Sequence, residues 1–154
     1  MNSDFRDLLA GFTANGVRYL VVGGYAVMEY SEPRYTKDLD IWIAADPANA
    51  DRVYRALAEF GAPLGMLAPD DFAQEGYFYS IGVPPVRIDI LMSLPGMAFE
   101  QAWPNRVAAA FDGTTVWFVA PDDLIAIKQA SGRRQDIRDA KAIRRARANR
   151  PPPR

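Results

Sequence analysis

The sequence predicts an α+β fold, one mixed β-sheet flanked by helices, with a helical C-terminal end. Three observations carry that expectation. Over residues 4–60, short apolar runs of strand length alternate with segments of helical periodicity. Two later pairs of apolar runs are joined by turn residues, Pro84-Pro85 and Asp112-Gly113, as antiparallel hairpins are. From Pro121 onward the pattern is helical.

Asp4 to Asn15 reads as an amphipathic helix with Phe5, Leu8, Leu9 and Phe12 on its inner face, stopped at Asn15-Gly16. Val17 to Val22 is a short buried strand. Gly23 to Ser31 is helical, with Ala26, Val27 and Tyr30 on one side, and Pro33 breaks it. Leu39 to Ala44 forms the second strand. Asp46-Pro47 closes it and starts a helix through Phe60, with Val53, Leu57 and Phe60 facing inward. Residues 63–73 mix proline, glycine and acid and read as loop with a short turn. Tyr77 to Val83 and Val86 to Met92 are strands of one hairpin, and Val107 to Phe111 and Thr115 to Val119 are strands of another. Pro121-Asp122-Asp123 opens a helix carrying Leu124, Ile125, Ile127 and Lys128, Gly132 interrupts it, and a last helix runs from Gln135 to Ala148.

The 154 residues suit a single domain over 1–148, with a core of 17–119 and C-terminal helices of 121–148. Residues 149–154, ending in Pro151 to Pro153, read as a disordered tail. With no cysteine and no histidine, the chain has no disulfide framework, no thiolate or imidazole metal site and no Ser-His-Asp catalysis. Any chemistry runs on carboxylates, lysine, arginine, hydroxyls and borrowed hard cations. No apolar run reaches the ~20 residues of a membrane span, and the acidic-amphipathic start is unlike a signal peptide, so a cytoplasmic location is expected. The net charge of −1 conceals an asymmetry. Residues 133–154 carry nine basic side chains against Asp136 and Asp139, and the rest carries nine basic against seventeen acidic. Such a basic end is either a solvated tail or a surface for a polyanion such as RNA.

Asp38 and Asp40 stand two apart in an apolar strand, so both carboxylates point to one face while Leu39 and Ile41 point to the other. Like charges so placed repel, and a divalent cation reverses the sign of the interaction. Asp89 sits in VRIDIL on the face shared by Arg87 and Leu91, where an unpaired buried acid is costly. If its strand lies beside the Leu39 strand, three carboxylates converge and suit two hard cations ~4 Å apart, the arrangement of phosphoryl and nucleotidyl displacement. An ion pair of Asp89 with Arg87 or Lys128 would satisfy the same acid structurally. Gly23-Gly24, between strand and helix, leaves backbone N–H groups open to an anion. Thr36 and Lys37, just before the first aspartate, either touch phosphate or cap the strand. Tyr25, Trp42, Tyr77 and Tyr79 either stack on a base or belong to the core.

Val22-Gly23-Gly24, thirteen residues, Asp38-Leu39-Asp40-Ile41 and then Ile88-Asp89-Ile90 together resemble the DNA polymerase β-type nucleotidyltransferase superfamily. Downstream, DDLIAIKQASGRRQDIRD is similar to a helical segment of small bacterial AbiEii-like and MNT-like nucleotidyltransferases. The resemblance implies a nucleotidyltransferase-like fold and a Mg²⁺- (or Mn²⁺-) dependent transfer of NMP from ATP or another NTP to a hydroxyl, releasing pyrophosphate. It implies that Asp38, Asp40 and Asp89 are catalytic and hold metal, Asp89 also activating the acceptor. Gly23, Gly24, Thr36, Lys37, Lys128 and Asp136 would then bind nucleotide. The acceptor would be an RNA 3′ end, a protein or a small molecule. Toxin–antitoxin systems are a frequent setting for such proteins, with an antitoxin partner and with tRNA held by the basic C-terminal helix. The alternative is a non-catalytic nucleotide- or RNA-binding module.

Overall fold

The computed structural model describes residues 3–36, 38–83 and 86–149; Lys37, the Pro84-Pro85 connection and the expected tail beyond Asn149 lie outside the described residues. The elements run α1 (Ser3–Ala14), β1 (Tyr19–Val22), α2 (Gly23–Tyr30), β2 (Asp38–Ile43), α3 (Pro47–Phe60), a 3-10 turn (Pro69–Ala73), β3 (Phe78–Ile81) and β4 (Arg87–Leu91). They continue with α4 (Phe99–Ala102), a second 3-10 turn (Trp103–Asn105), β5 (Val107–Phe111), β6 (Thr114–Phe118), α5 (Pro121–Ser131) and α6 (Arg134–Ala148). The expected mixed sheet is present, with six strands in the order β3-β4-β2-β1-β6-β5. β1, β3 and β4 are shorter than expected by one or two residues at an end, β2 and β6 each lie one residue earlier, β5 has the expected bounds, and α4 with the second 3-10 turn is an addition to the sequence reading.

Register fixes everything at the centre. β1 and β2 are antiparallel with Val22 opposite Asp40, and β2 and β4 are parallel with Asp38 opposite Arg87 and Asp40 opposite Asp89. One sheet face is then apolar throughout: Tyr19, Val21, Leu39, Ile41, Ile43, Ile88 and Ile90 are buried on it. α1 and α3 cover that face and bury Phe5, Leu8, Leu9, Phe12, Val53 and Leu57, each fully buried large side chain contributing ~1.5–3 kcal/mol. Asp46 caps α3 by accepting from the Asn49 N–H at 2.8 Å, Pro47 opens its first turn, and Gly61 ends it at φ +90°. The buried Asn49 side chain bonds Arg18 N, Arg18 O and Ala44 O, tying α3 to both central strands.

The opposite face is divided. Near Trp42 it is apolar, with the indole against Phe99 of α4 at 5.2 Å, so Trp42 is core rather than a base platform. Tyr25 packs between Phe5 and Phe111, and Tyr79 packs on Phe72 and donates to Pro63 O, so both are structural as well. Toward Asp38 and Arg87 the same face turns polar, and α2, α5 and α6 surround it. Among the described residues no helix is long and apolar enough to cross a membrane.

Candidate active site

The register just given brings the three acids to one face of adjacent strands, which meets the condition that the sequence reading set. Asp40 pays for the company. Burial, then the charges of Asp89 and Asp38, push its carboxyl up to about 7, against a lowering contribution from Lys128. Asp38 Oδ1 is buried without a hydrogen-bond partner. Asp89 is better satisfied: Oδ1 accepts from Ser80 Oγ at 2.5 Å and from Arg87 Nε at 3.0 Å. The bond to Asp89 in turn raises the Arg87 guanidinium.

The glycines stand where the register demands them. Gly23 follows Val22, the partner of Asp40, and has φ +68°; a Cβ on it would lie 2.3 Å from Asp40 Oδ2. A Cβ on Gly24 would lie 2.4 Å from Thr36 Oγ1, with an Arg34 guanidinium nitrogen 3.4 Å away. Side-chain atoms of the site therefore fill the space that a larger residue would take, and only glycine lets the first turn of α2 lie this close to Asp40 and Thr36.

α5 and α6 close the other side. Lys128, only 11% exposed, donates to Asp136 Oδ1 at 2.9 Å and stands 3.2 Å from Asp139 Oδ2. Asp136 also accepts from Ser131 Oγ and from Arg133 Nε, and Asp139 pairs with Arg34 of the α2–β2 connection. Burial opposes the Asp136 carboxylate, yet the bonds from Ser131 and Lys128 outweigh it and hold the group below the ordinary range. Lys128 is thus no surface lysine and Asp136 no mere helix-start acid.

Gly23, Gly24, Thr36, Asp38, Asp40, Lys128 and Asp136 line one cleft of about 320 Å³ together with Arg34, Arg133, Gln135 and Asp139. A second cavity of about 470 Å³ shares Gly23, Asp40, Lys128 and Asp136 with it and continues between Leu91, Leu94 and Pro95 on one wall and Leu124, Ile127 and Ala130 on the other. Arg34, Ser80 and Asp139 were not among the residues that the sequence singles out. Asp139 had a signal, since it lies one turn beyond Asp136; Arg34 and Ser80 needed the tertiary pairing.

No group of three acidic side chains among the described residues is drawn together tightly enough to hold a metal ion as it stands. The donor set nevertheless fits a hard divalent cation. Oxygen ligands only, an orphaned buried oxygen on Asp38 and a repelling Asp40–Asp89 pair are what such a cation satisfies.

A family model described as a nucleotidyltransferase of unknown function (DUF6036) matches residues 5–144. No curated protein is similar at a significant level. Among solved structures the chain is similar to the lincosamide antibiotic adenylyltransferase LnuA, lincomycin-bound, at 14% identity and TM-score 0.61, over 94% of this chain and 96% of that one. It is similar to the antibiotic-resistance factor ANT(2'')-Ia at 13% identity and TM-score 0.58, over 95% and 88%. It also resembles an antigenic nucleotidyltransferase-like protein from Paracoccidioides brasiliensis at 20% identity and TM-score 0.53, over 91% and 74%. At these identities the likeness establishes the fold.

Proposed function

Because the chain belongs to the DUF6036 nucleotidyltransferase family, we propose that it transfers a nucleoside monophosphate from an NTP to a hydroxyl acceptor. The observation that carries this reading is the registered Asp40–Asp89 pair beside the orphaned Asp38 oxygen, under a glycine turn with no room for a Cβ. Asp38, Asp40 and Asp89 would hold Mg²⁺ or Mn²⁺. Such a cation, when bound, neutralises phosphate charge and orients the reacting phosphoryl group.

The chain's own residues supply the rest. The N–H groups at Gly23 and Gly24, the Thr36 hydroxyl, Lys128 and Arg34 surround the triphosphate, as cationic and N–H donors do in anion sites. Arg133, at the cleft mouth, adds a further positive charge. Lys37 stays in this set by its place in the sequence alone. To reach phosphate, Lys128 exchanges one of its two aspartate partners for the ligand, and Asp136 keeps the ammonium aimed into the cleft. Asp89 accepts the proton of the acceptor hydroxyl. The acceptor oxygen gains a bond to the α-phosphorus, and the bond to the leaving pyrophosphate breaks. The apolar walls of the larger cavity suit the nucleoside part.

One observation favours a second reading, a nucleotide-binding module without turnover: Asp89 Oδ1 is already engaged by Arg87 and Ser80. Incubation with each labelled NTP, Mg²⁺ and bulk tRNA, protein or small hydroxyl compounds separates the two. Transfer that disappears in Asp38→Ala supports the enzyme; Mg²⁺-dependent NTP binding with no product supports the module. A toxin role predicts growth arrest on expression, relieved by Asp40→Ala, and an antitoxin would be recovered as the co-expressed protein that lifts it.

A further inference from the structure

Large exposed apolar side chains cluster on and around β3: Tyr77, Phe78 and Val83 are 67%, 62% and 75% exposed. β3 is an outer strand, and apolar groups on an open edge invite aggregation. Their position next to the carboxylate strand gives them a use. Phe78 lies two residues from Ser80, so both side chains stand on one face of the sheet. Ser80 bonds Asp89 Oδ1, which makes that face the carboxylate face. Arg87, with its side chain 37% exposed, completes the corner, with Nε on Asp89 and a terminal nitrogen 3.4 Å from Ser80 Oγ. A cavity of about 370 Å³ that Phe78 also touches, lined by Leu67, Phe72, Tyr79 and Met92 with Asp71 and Gln74, lies on the Tyr79 side of the strand and is not part of the carboxylate face. Asp89 lines neither of the two clefts; it has Asp40 beside it on one strand and Ser80, next to Phe78, on the other, with Arg87 bonded to it.

We propose that Phe78 and Arg87 form an acceptor subsite for the hydroxyl end of a single-stranded RNA, an inference that rests on the nucleotide-transfer reading above. The terminal base stacks on Phe78 and a backbone phosphate takes Arg87. An aromatic face plus a cation is the pairing by which single strands are held without sequence preference. A polyanion also matches the outward face of α6, where Arg134, Arg138, Lys141, Arg144 and Arg145 are exposed. The subsite explains the Arg87–Asp89 pair. Without acceptor, Arg87 neutralises Asp89; an arriving phosphate draws the guanidinium away and leaves Asp89 free to take the hydroxyl proton, while the α-phosphorus exchanges its bond to pyrophosphate for one to the RNA oxygen.

The test measures binding of a fluorescent short single-stranded RNA, and in parallel of a fluorescent NTP analogue with Mg²⁺, to the full chain and to Phe78→Ala, Phe78→Trp and Arg87→Met. Phe78→Ala is expected to weaken RNA binding by roughly tenfold, the cost of one lost stacked base, and Phe78→Trp to restore it. Arg87→Met is expected to flatten the salt dependence by about one phosphate contact. RNA binding untouched by Phe78→Ala, with NTP still bound, overturns the subsite alone. Failure of the unaltered chain to bind NTP overturns the nucleotide-transfer reading and the subsite with it.

Discussion

Replacing Asp40 with asparagine turns the crowding of the carboxylates into a measurable stability. In the folded protein the Asp40 carboxyl titrates at about 7, whereas its ordinary value is 3.8. Between those values the folded chain keeps a proton that the unfolded chain has released, so stability falls as pH rises and is fully forfeited above about 7. At ~1.4 kcal/mol for each pH unit the whole interval amounts to ~4 kcal/mol as an upper bound, and water reaching the partly buried carboxylate brings it toward ~2 kcal/mol. Asparagine carries no charge and escapes the loss. In metal-free buffer the Asp40→Asn variant should therefore gain on the unaltered protein from pH 5 to pH 8 by ~1.3–2.7 kcal/mol. For a chain of this size that is a melting-temperature gap wider by roughly 3–10 °C. Mg²⁺ should stabilise the unaltered protein at pH 8 and leave the variant unmoved, because the cation offsets a repulsion that the variant no longer has. A gap that stays constant with pH, or a variant that responds to Mg²⁺ like its parent, would show that Asp40 does not share its surroundings with Asp38 and Asp89 in the way described.

The same geometry sets three further outcomes. Gly23→Ala places a methyl group against Asp40 in a left-handed backbone, so chemical denaturation should show a loss of ~1–3 kcal/mol together with loss of NTP binding. Lys128→Met leaves Asp136 and Asp139 without their shared ammonium and should cost ~3–5 kcal/mol in urea unfolding; adding Asp136→Asn and Asp139→Asn should recover much of the stability without recovering NTP affinity. Neutralising Arg138 and Lys141 on the outward face of α6 should reduce the salt dependence of RNA binding, read by anisotropy across a salt series, and leave the melting temperature within ~2 °C.

Periodicity and turn chemistry made most of the elements legible, because each leaves a local mark. The apolar face of α1, the Asp112-Gly113 hairpin turn with φ of +51° and +81°, and the two faces of Asp38-Leu39-Asp40 are of that kind. α4 escaped notice because the four residues of FEQA are too few to display a period. The pairing of β2 with β4 was a condition in the sequence reading, not a deduction, since no local signal tells a strand which distant strand it will join. The cleft divides along the same line. Its acids and glycines announce themselves by motif, whereas Arg34 enters only because α6 carries Asp139 to it, and Ser80 only because the β3–β4 register sets it opposite Asp89. α6 was legible as a helix with a basic surface and with Asp136 beside Lys128; that Asp139 is buried too and shares Lys128 shows only once the helix is docked.

The central parallel pairing has a cost that falls on assembly. β2 and β4 are separated along the chain by α3, the first 3-10 turn and β3, so they meet only after a long loop has closed. The step that zips them together also forces like charges into contact. Added salt, by screening that encounter, should therefore speed refolding.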